Sequence, residues 1–287
     1  VSRLGWQPLT TAGAPIGLQV ADGPGAPVVL VHGVEDGWRS WGQLAELLGE
    51  RHRVYALDLP WRAGGDYRWA LEADAGAWLR RALDLVPERN FRAVGHSFGA
   101  TALMQVLAAG AQASARLTAV VLLAPAFRVP RTPVGPDVEA RERERLRAVI
   151  DERICLRAAE RNRQLDRGLR RRMVDHAVAR IGGTGLRTLF AHFAATGHLA
   201  LSGVTVPTFA LAGTDDTAFT ADRAEALALA MPTATVRRLS QLSHFCHVQQ
   251  AAQVAEEIGS FFDAVSGCTR SLWALTSQGG NSRDPRI

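Results

Sequence analysis

The pentapeptide Gly95-His96-Ser97-Phe98-Gly99 sets a serine hydroxyl between glycines placed two residues before and two residues after it. An apolar run, "FRAV", leads into it, and a helix-forming run, "ATALMQVLAA", leads out. A sharp strand-to-helix turn crowds the backbone, and glycine on both flanks removes Cβ atoms that would clash. Such a turn lifts the Ser97 hydroxyl out of the strand layer. It also aims the first N–H groups of the helix, including that of Phe98, at negative charge developing beside the serine. A small-residue turn that merely packs helix on strand has the same composition, so the chemistry depends on what else the chain supplies.

A serine hydroxyl is a weak nucleophile until a base accepts its proton, and the base needs an acid to orient it. Of the eight histidines, His96 is adjacent to Ser97 and His32 follows the first buried strand, so neither is placed to act as base. His52 precedes a strand, and His176, His192 and His198 fall in a helical stretch where packing or surface roles suffice. "LSHFCHVQQ" leaves His244 and His247. His244 lies in a strand-to-helix loop and is preferred; His247 starts the following helix, where it packs or caps. The run "LLAPAF" ends without a carboxylate, whereas "ALAGTDDTAF" offers Asp215 and Asp216 after the next strand. Asp216 is preferred as the acid, with Asp215 as the alternative or as a helix N-terminal charge.

These residues need a scaffold that brings strand ends together. "PVVLVHG" (27–33), "RVYALDLP" (53–60), "FRAVGHS" (91–97) and "LTAVVLLAP" (117–125) are continuous apolar runs, as in parallel strands buried on both faces. Helical stretches alternate with them at about 39–50, 70–85 and 98–112. After the proline-rich "AFRVPRTPVGPD", residues 137–200 show no strand signal, and Leu146, Val149, Ile150 and Ile154 recur on one helical face. Strands return with "VPTFALAG" (206–213) and "TATVRRLS" (233–240). The expected organisation is an α/β core over 1–127 and 201–263, a helical insertion over 128–200, and a polar tail over 264–287 that is partly disordered or loosely docked.

Composition narrows the alternatives. With 47% hydrophobic and 21% charged residues, the 287-residue chain has the make-up of a soluble globular protein able to bury a sizeable core. No apolar run reaches the ~18 residues of a membrane span, and "VSRLGWQPLTTAG" lacks a signal-peptide core, so a cytoplasmic protein without membrane insertion is expected. The net charge is +5, but all 33 basic residues are arginine. That is a coding bias rather than a nucleic-acid footprint, and no nucleic-acid partner is expected. In 139–173 Glu and Asp interleave with Arg, Glu139 and Arg143 at i,i+4 spacing, which reads as a solvated ion-paired face in preference to an anion-binding patch. Cys155, Cys246 and Cys268 are far apart and read as reduced thiols. No H-E-x-x-H or Cys/His cluster occurs, so neither metal nor cofactor is expected.

Together, G-x-S-x-G in its strand-to-helix context and the chain order Ser97, Asp216, His244 resemble the α/β-hydrolase superfamily over about residues 15–262. The resemblance implies an α/β-hydrolase fold, with a mostly parallel sheet flanked by helices and the 128–200 stretch as cap. It implies a Ser97–His244–Asp216 triad. From "VLVHGVEDGW" it also implies that the Val34 backbone N–H is a second oxyanion donor beside Phe98. In "ALDLPW" the bulky Trp61 stands where the family's D-x-P-G has glycine. A serine at 97, not aspartate, argues against relatives that open epoxides or displace halide. The implied activity is hydrolysis of a carboxylic ester, thioester or lactone through an acyl-enzyme on Ser97. The rivals are acyl transfer or cyclisation by the same acyl-enzyme, and a non-catalytic ligand-binding role. A small, hydrophobic acyl substrate is the expected partner. His32, Trp38, Trp61, His96 and Phe127 are expected to line its pocket, although core packing accounts for each equally well.

Overall fold

The computed structural model describes residues 4–10, 14–159 and 164–277, with side chains described as far as residue 267. In chain order the strands are β1 (Gln7–Pro8), β2 (Gly17–Ala21), β3 (Val28–Val31), β4 (Val54–Asp58), β5 (Phe91–His96), β6 (Leu117–Leu123), β7 (Thr208–Gly213) and β8 (Ala234–Leu239). The helices are α1 (Gly42–Gly49), α2 (Trp69–Glu72), α3 (Ala75–Leu83), α4 (Phe98–Ala108), α5 (Ala111–Ser114), α6 (Pro136–Ala159), α7 (Arg167–Thr196), α8 (Ala221–Ala230), α9 (Cys246–Gln249) and α10 (Ala251–Ser277).

One eight-stranded sheet runs in the order β1-β2-β4-β3-β5-β6-β7-β8. From β4 to β8 every pairing is parallel, while β1 and β2 join antiparallel at one edge. All six apolar runs read as strands from the sequence are strands. β1 and β2 lack such a run: "GLQVA" is short, partly polar and buries Leu18 fully, so nothing in its pattern marks it as sheet.

Continuous apolarity follows from coverage on both faces. In β3, Val29 and Val31 face one core cluster, and Val28 and Leu30 face the other. β4 divides likewise, with Tyr55 and Leu57 on one side and Val54 and Ala56 on the other. The first cluster lies under α3, α4 and the α6–α7 insertion; the second packs against α1 and α10.

α6 and α7 pack on each other between β6 and β7 in the chain. Asp166 caps α7, accepting from the Leu169 N–H at 2.9 Å. Gly182 interrupts α7 with φ 66° and ψ 177°, a conformation that only glycine adopts without strain. Ion pairs dock the insertion: Arg153 with Asp36 at 3.0 Å, Arg180 with Glu35, and Arg223 with Glu142. Its exposed arginines find acids as well, Arg143 with Glu139 at 3.3 Å and Arg170 with Asp151, in keeping with an ion-paired face.

α10 runs without a break to Ser277, so the tail boundary placed at 264 falls inside a helix; residues 278–287 lie outside the described part. Among the described residues, no helix is long and apolar enough to cross a membrane. Cys155 and Cys246 are free thiols, and the side chain of Cys268 lies outside the described part.

Candidate active site

Ser97 occupies the turn between β5 and α4 with φ 51° and ψ −114°. A non-glycine residue at positive φ is strained by a kilocalorie or more, and here the surroundings enforce it. The Ser97 N–H bonds to the Leu123 carbonyl at the end of β6 (2.8 Å), and the Thr101 N–H reaches back to the Ser97 carbonyl (3.0 Å). The flanking glycines are required by contact. A Cβ on Gly99 would lie 2.3 Å from the Val31 carbonyl oxygen, and one on Gly95 would lie 2.9 Å from the Ala100 backbone. Phe98 is the first residue of α4, so its amide belongs to the N–H groups that intrahelical bonding leaves open.

His244 lies in the loop between β8 and α9, and Asp216 lies beyond the end of β7. The His244 Nδ1–H donates to Asp216 Oδ2 at 3.0 Å, and both residues are buried. The other Asp216 oxygen accepts the Ala218 N–H at 2.8 Å, whereas Asp215 is exposed. His244 Nε2 is buried and has no hydrogen-bond partner among the described residues, leaving its proton-accepting edge open.

Burial opposes protonation of His244. The Asp216 charge and hydrogen bond, helped by Glu152 and Asp36, outweigh burial and raise its pKa above the ordinary 6.5. Burial likewise disfavours the Asp216 carboxylate, yet His244 and the amides of Ala218 and Phe219 bring its pKa below the ordinary value.

Beneath this pair, the His96 Nε2–H donates to the backbone carbonyl of His244 at 2.9 Å. Burial, then His247 and His244, push the His96 pKa well down and keep the ring neutral. His96 therefore supports the His244 loop and does not line a pocket. The other four expected pocket residues are structural too. His32 is fully buried, with Nδ1 on the Gly33 carbonyl (2.8 Å) and Nε2 accepting from Leu59 N–H (2.9 Å). Trp61 is fully buried behind Phe98, and its indole donates to the His32 carbonyl at 3.0 Å. Phe127 is buried in the core under the sheet face that α4 covers, and it is its neighbour Ala126 that borders the cavity. Trp38 stacks edge-on against Trp6 at 5.5 Å and joins the cluster on the opposite sheet face.

The cavity itself has a volume of about 110 Å³ and is bordered by Val34, Ser97 and Phe98 from the core. Leu146 and Val149 of α6 and Leu186, Leu189, Phe190 and Phe193 of α7 form its apolar walls. The α6 pair belongs to the helical face read from the sequence. The α7 set recurs at the same i, i+3, i+4, i+7 spacing, so the identical signal could have revealed it. Glu139, Glu142, Arg143 and Arg145 stand at its edge.

Chain spacing also conceals one buried cluster: Asp36, His96 and His247 bring ligand-type atoms within 4.8 Å of one another. His247 Nε2 lies 3.8 Å from Asp36 Oδ2, beyond hydrogen-bond length. Arg153 already neutralises Asp36 at 3.0 Å, so a divalent cation would bring uncompensated positive charge into a buried position beside a guanidinium. The cluster fits a neutral-imidazole support better than a metal centre.

The fold has many solved relatives. A bacterial membrane phospholipase A described as a virulence factor superposes with a TM-score of 0.66 at 18% identity, over 92% of this chain and 87% of that one. A putative lipase from Acinetobacter baumannii gives 0.63 at 15%, covering 92% and 93%. A thioesterase domain from the curacin biosynthetic pathway gives 0.60 at 16%, covering 90% and 99%. At such identities the likeness speaks for the fold alone. No curated protein sequence matches significantly. Residues 28–257 match the profile described as "Alpha/beta hydrolase family", spanning the β3-to-α10 framework that carries Ser97, Asp216 and His244. On that match and that framework, the chain belongs to the alpha/beta hydrolase family.

Proposed function

We propose that the protein is a serine hydrolase that cleaves a carboxylic ester, thioester or lactone through an acyl-enzyme on Ser97. The observation that carries this reading is the placement of Ser97. It is held at positive φ on the β5–α4 turn and borders an apolar cavity. His244 accepts the Ser97 proton as the hydroxyl attacks the carbonyl, then returns it to the leaving alcohol, thiol or ring oxygen. Asp216 fixes the Nδ1–H tautomer and stabilises the imidazolium while it exists. The Phe98 and Val34 amides hold the oxyanion, each such donor typically contributing about 2.7–4 kcal/mol in the transition state. Water, deprotonated by His244, then attacks the acyl-enzyme and releases the acid.

The α6–α7 insertion acts as a cap that closes the acyl site with aliphatic and phenylalanine side chains. A cavity of about 110 Å³ suits a short acyl chain; for comparison, benzene occupies an apolar cavity of about 150 Å³.

Treatment with a fluorophosphonate, followed by intact mass and peptide mapping, tests the assignment. One adduct on Ser97, lost in Ser97→Ala and strongly slowed in His244→Ala, supports it. Failure of a folded parent protein to label overturns it and leaves a binding role.

A further inference from the structure

Two consecutive residues of α6 grip the segment that carries His244. Glu152 Oε1 accepts a hydrogen bond from Gln249 Nε2 at 3.0 Å, and Gln249 is on α9, which begins two residues after His244. Arg153 ion-pairs with Asp36 at 3.0 Å and places its guanidinium 5.9 Å from the centre of the Phe245 ring. From below, His96 holds the His244 carbonyl, and Gln250 accepts from both the Ser243 N–H and its hydroxyl. The core therefore restrains this loop from one side and the insertion from the other.

We propose that Glu152 is a positioning residue for His244: it ties the His244 loop to the helical insertion through Gln249 and so places a second carboxylate on the segment that carries the imidazole. The inference rests on reading His244 as the base of the acyl-enzyme mechanism. Glu152 lies 64 residues upstream of Asp216 on a different element, and no motif in the chain marks it.

The charges facing His244 come from five elements. Asp216 follows β7, Asp36 follows β3, His96 ends β5, His247 sits on α9, and Glu152 comes from α6 together with Arg153, whose guanidinium is paired with Asp36. The two neighbouring histidines are kept neutral by burial, so their charges do not offset the carboxylates. Among those carboxylates Asp216 acts most strongly on His244, followed by Glu152 and then Asp36. Burial raises the pKa of Glu152 itself and Asp216 adds to that, while His244, the nearby Phe245 amide and Gln249 favour its ionised form. The same carboxylate helps to raise the pKa of the buried Cys246 thiol, which burial and Asp216 push up to about 12.

A carboxylate delivered by the insertion makes the basicity of His244 depend on the insertion being docked. With the insertion displaced, His244 keeps Asp216 but loses Glu152 as an acidic neighbour, together with both of the α6 grips on its loop.

The test compares Glu152→Gln with Glu152→Ala. Glutamine keeps an oxygen for Gln249 but removes the charge; alanine removes both. The readouts are the pH dependence of the fluorophosphonate inactivation rate and the titration of the His244 imidazole followed by nitrogen-edited NMR. In Glu152→Gln both the acid limb and the imidazole titration should move to lower pH, with the high-pH rate close to that of the parent. In Glu152→Ala the high-pH rate should also fall by roughly tenfold or more, since a displaced base loses rate steeply. An unmoved titration in a folded Glu152→Gln protein overturns the charge role. An unchanged high-pH rate in Glu152→Ala overturns the positioning role. A parent protein that never labels, while its imidazole still shifts on Glu152→Gln substitution, overturns the hydrolase reading but leaves the Glu152–His244 coupling standing.

Discussion

His244 Nδ1 and Asp216 Oδ2 stand 3.0 Å apart in a site where both side chains are buried, while the adjacent Asp215 faces solvent. One carboxylate of a consecutive pair is thereby committed to an imidazole and the other is free of it. Their substitution should therefore separate cleanly.

Asp216→Asn should lower kcat by about 10,000-fold, the loss expected when the imidazole is no longer held in its working tautomer. Asp215→Asn should stay near the parent. The base must be unprotonated, and the His244 pKa is raised above 6.5, so the parent rate should fall as pH drops through a midpoint above that value. Asp216→Asn removes the largest raising charge and should move the midpoint down. A pH–rate profile on a p-nitrophenyl ester checks both statements; equal losses from the two substitutions would reassign the acid.

The Arg153–Asp36 pair is almost wholly shielded from water. Breaking such a pair from one side strands the remaining charge and typically costs about 3–5 kcal/mol. Asp36→Asn should thus unfold at a clearly lower denaturant midpoint, and the double variant Asp36→Asn with Arg153→Met should recover much of the loss. Burial would raise the Asp36 pKa, but His247 and Arg153 hold it well below the ordinary 3.8. A carboxylate with a depressed pKa stabilises the fold fully above its unfolded value and loses that contribution as pH falls toward the folded one. The stability gap between parent and Asp36→Asn should accordingly be constant near neutrality and narrow below about pH 4. Urea titrations at several pH values measure it, and a gap that widens in acid would contradict the assignment.

Acyl-chain length should divide substrates sharply. With Leu189, Phe190 and Phe193 closing an apolar space of about 110 Å³, butyryl and hexanoyl esters should outpace lauroyl and longer ones in kcat/KM. Phe193→Ala should shift the optimum to longer chains, because the ring it removes forms part of the wall. A parent that prefers long chains would show that the cavity opens widely during turnover.

The architecture was legible wherever one local signal sufficed. Strands buried on both faces announce themselves as unbroken apolar runs, and the elbow does so through the glycines around Ser97. His244 and Asp216 followed because a base and an acid belong at strand ends. The edge strands β1 and β2 escaped notice because Gln7–Pro8 and Gly17–Ala21 carry little apolar pattern of their own and depend on β4 for partners. The pocket was misread for a related reason. Trp38, Trp61 and Phe127 are large and come from loops, but size does not tell which side of the sheet a loop residue faces. Trp61 found a carbonyl for its indole inside the core, and Trp38 found Trp6 on the far side. Partners as distant as Arg153 and Asp36, 117 positions apart, leave no trace in spacing at all.

The positive φ of Gly182 divides α7 into two rods joined at a kink. The first is tied down by charge, Arg170 to Asp151 and Arg180 to Glu35, and the second by hydrogen bonds, His192 with Gln105 at 3.0 Å and the Ala194 carbonyl with Arg128 at 2.8 Å. All four α7 side chains that border the cavity, Leu186, Leu189, Phe190 and Phe193, stand on the second rod. The contour of the cavity on this side is therefore written in one unbroken stretch after a single glycine, and it can be rewritten there without touching the ion pairs that precede it.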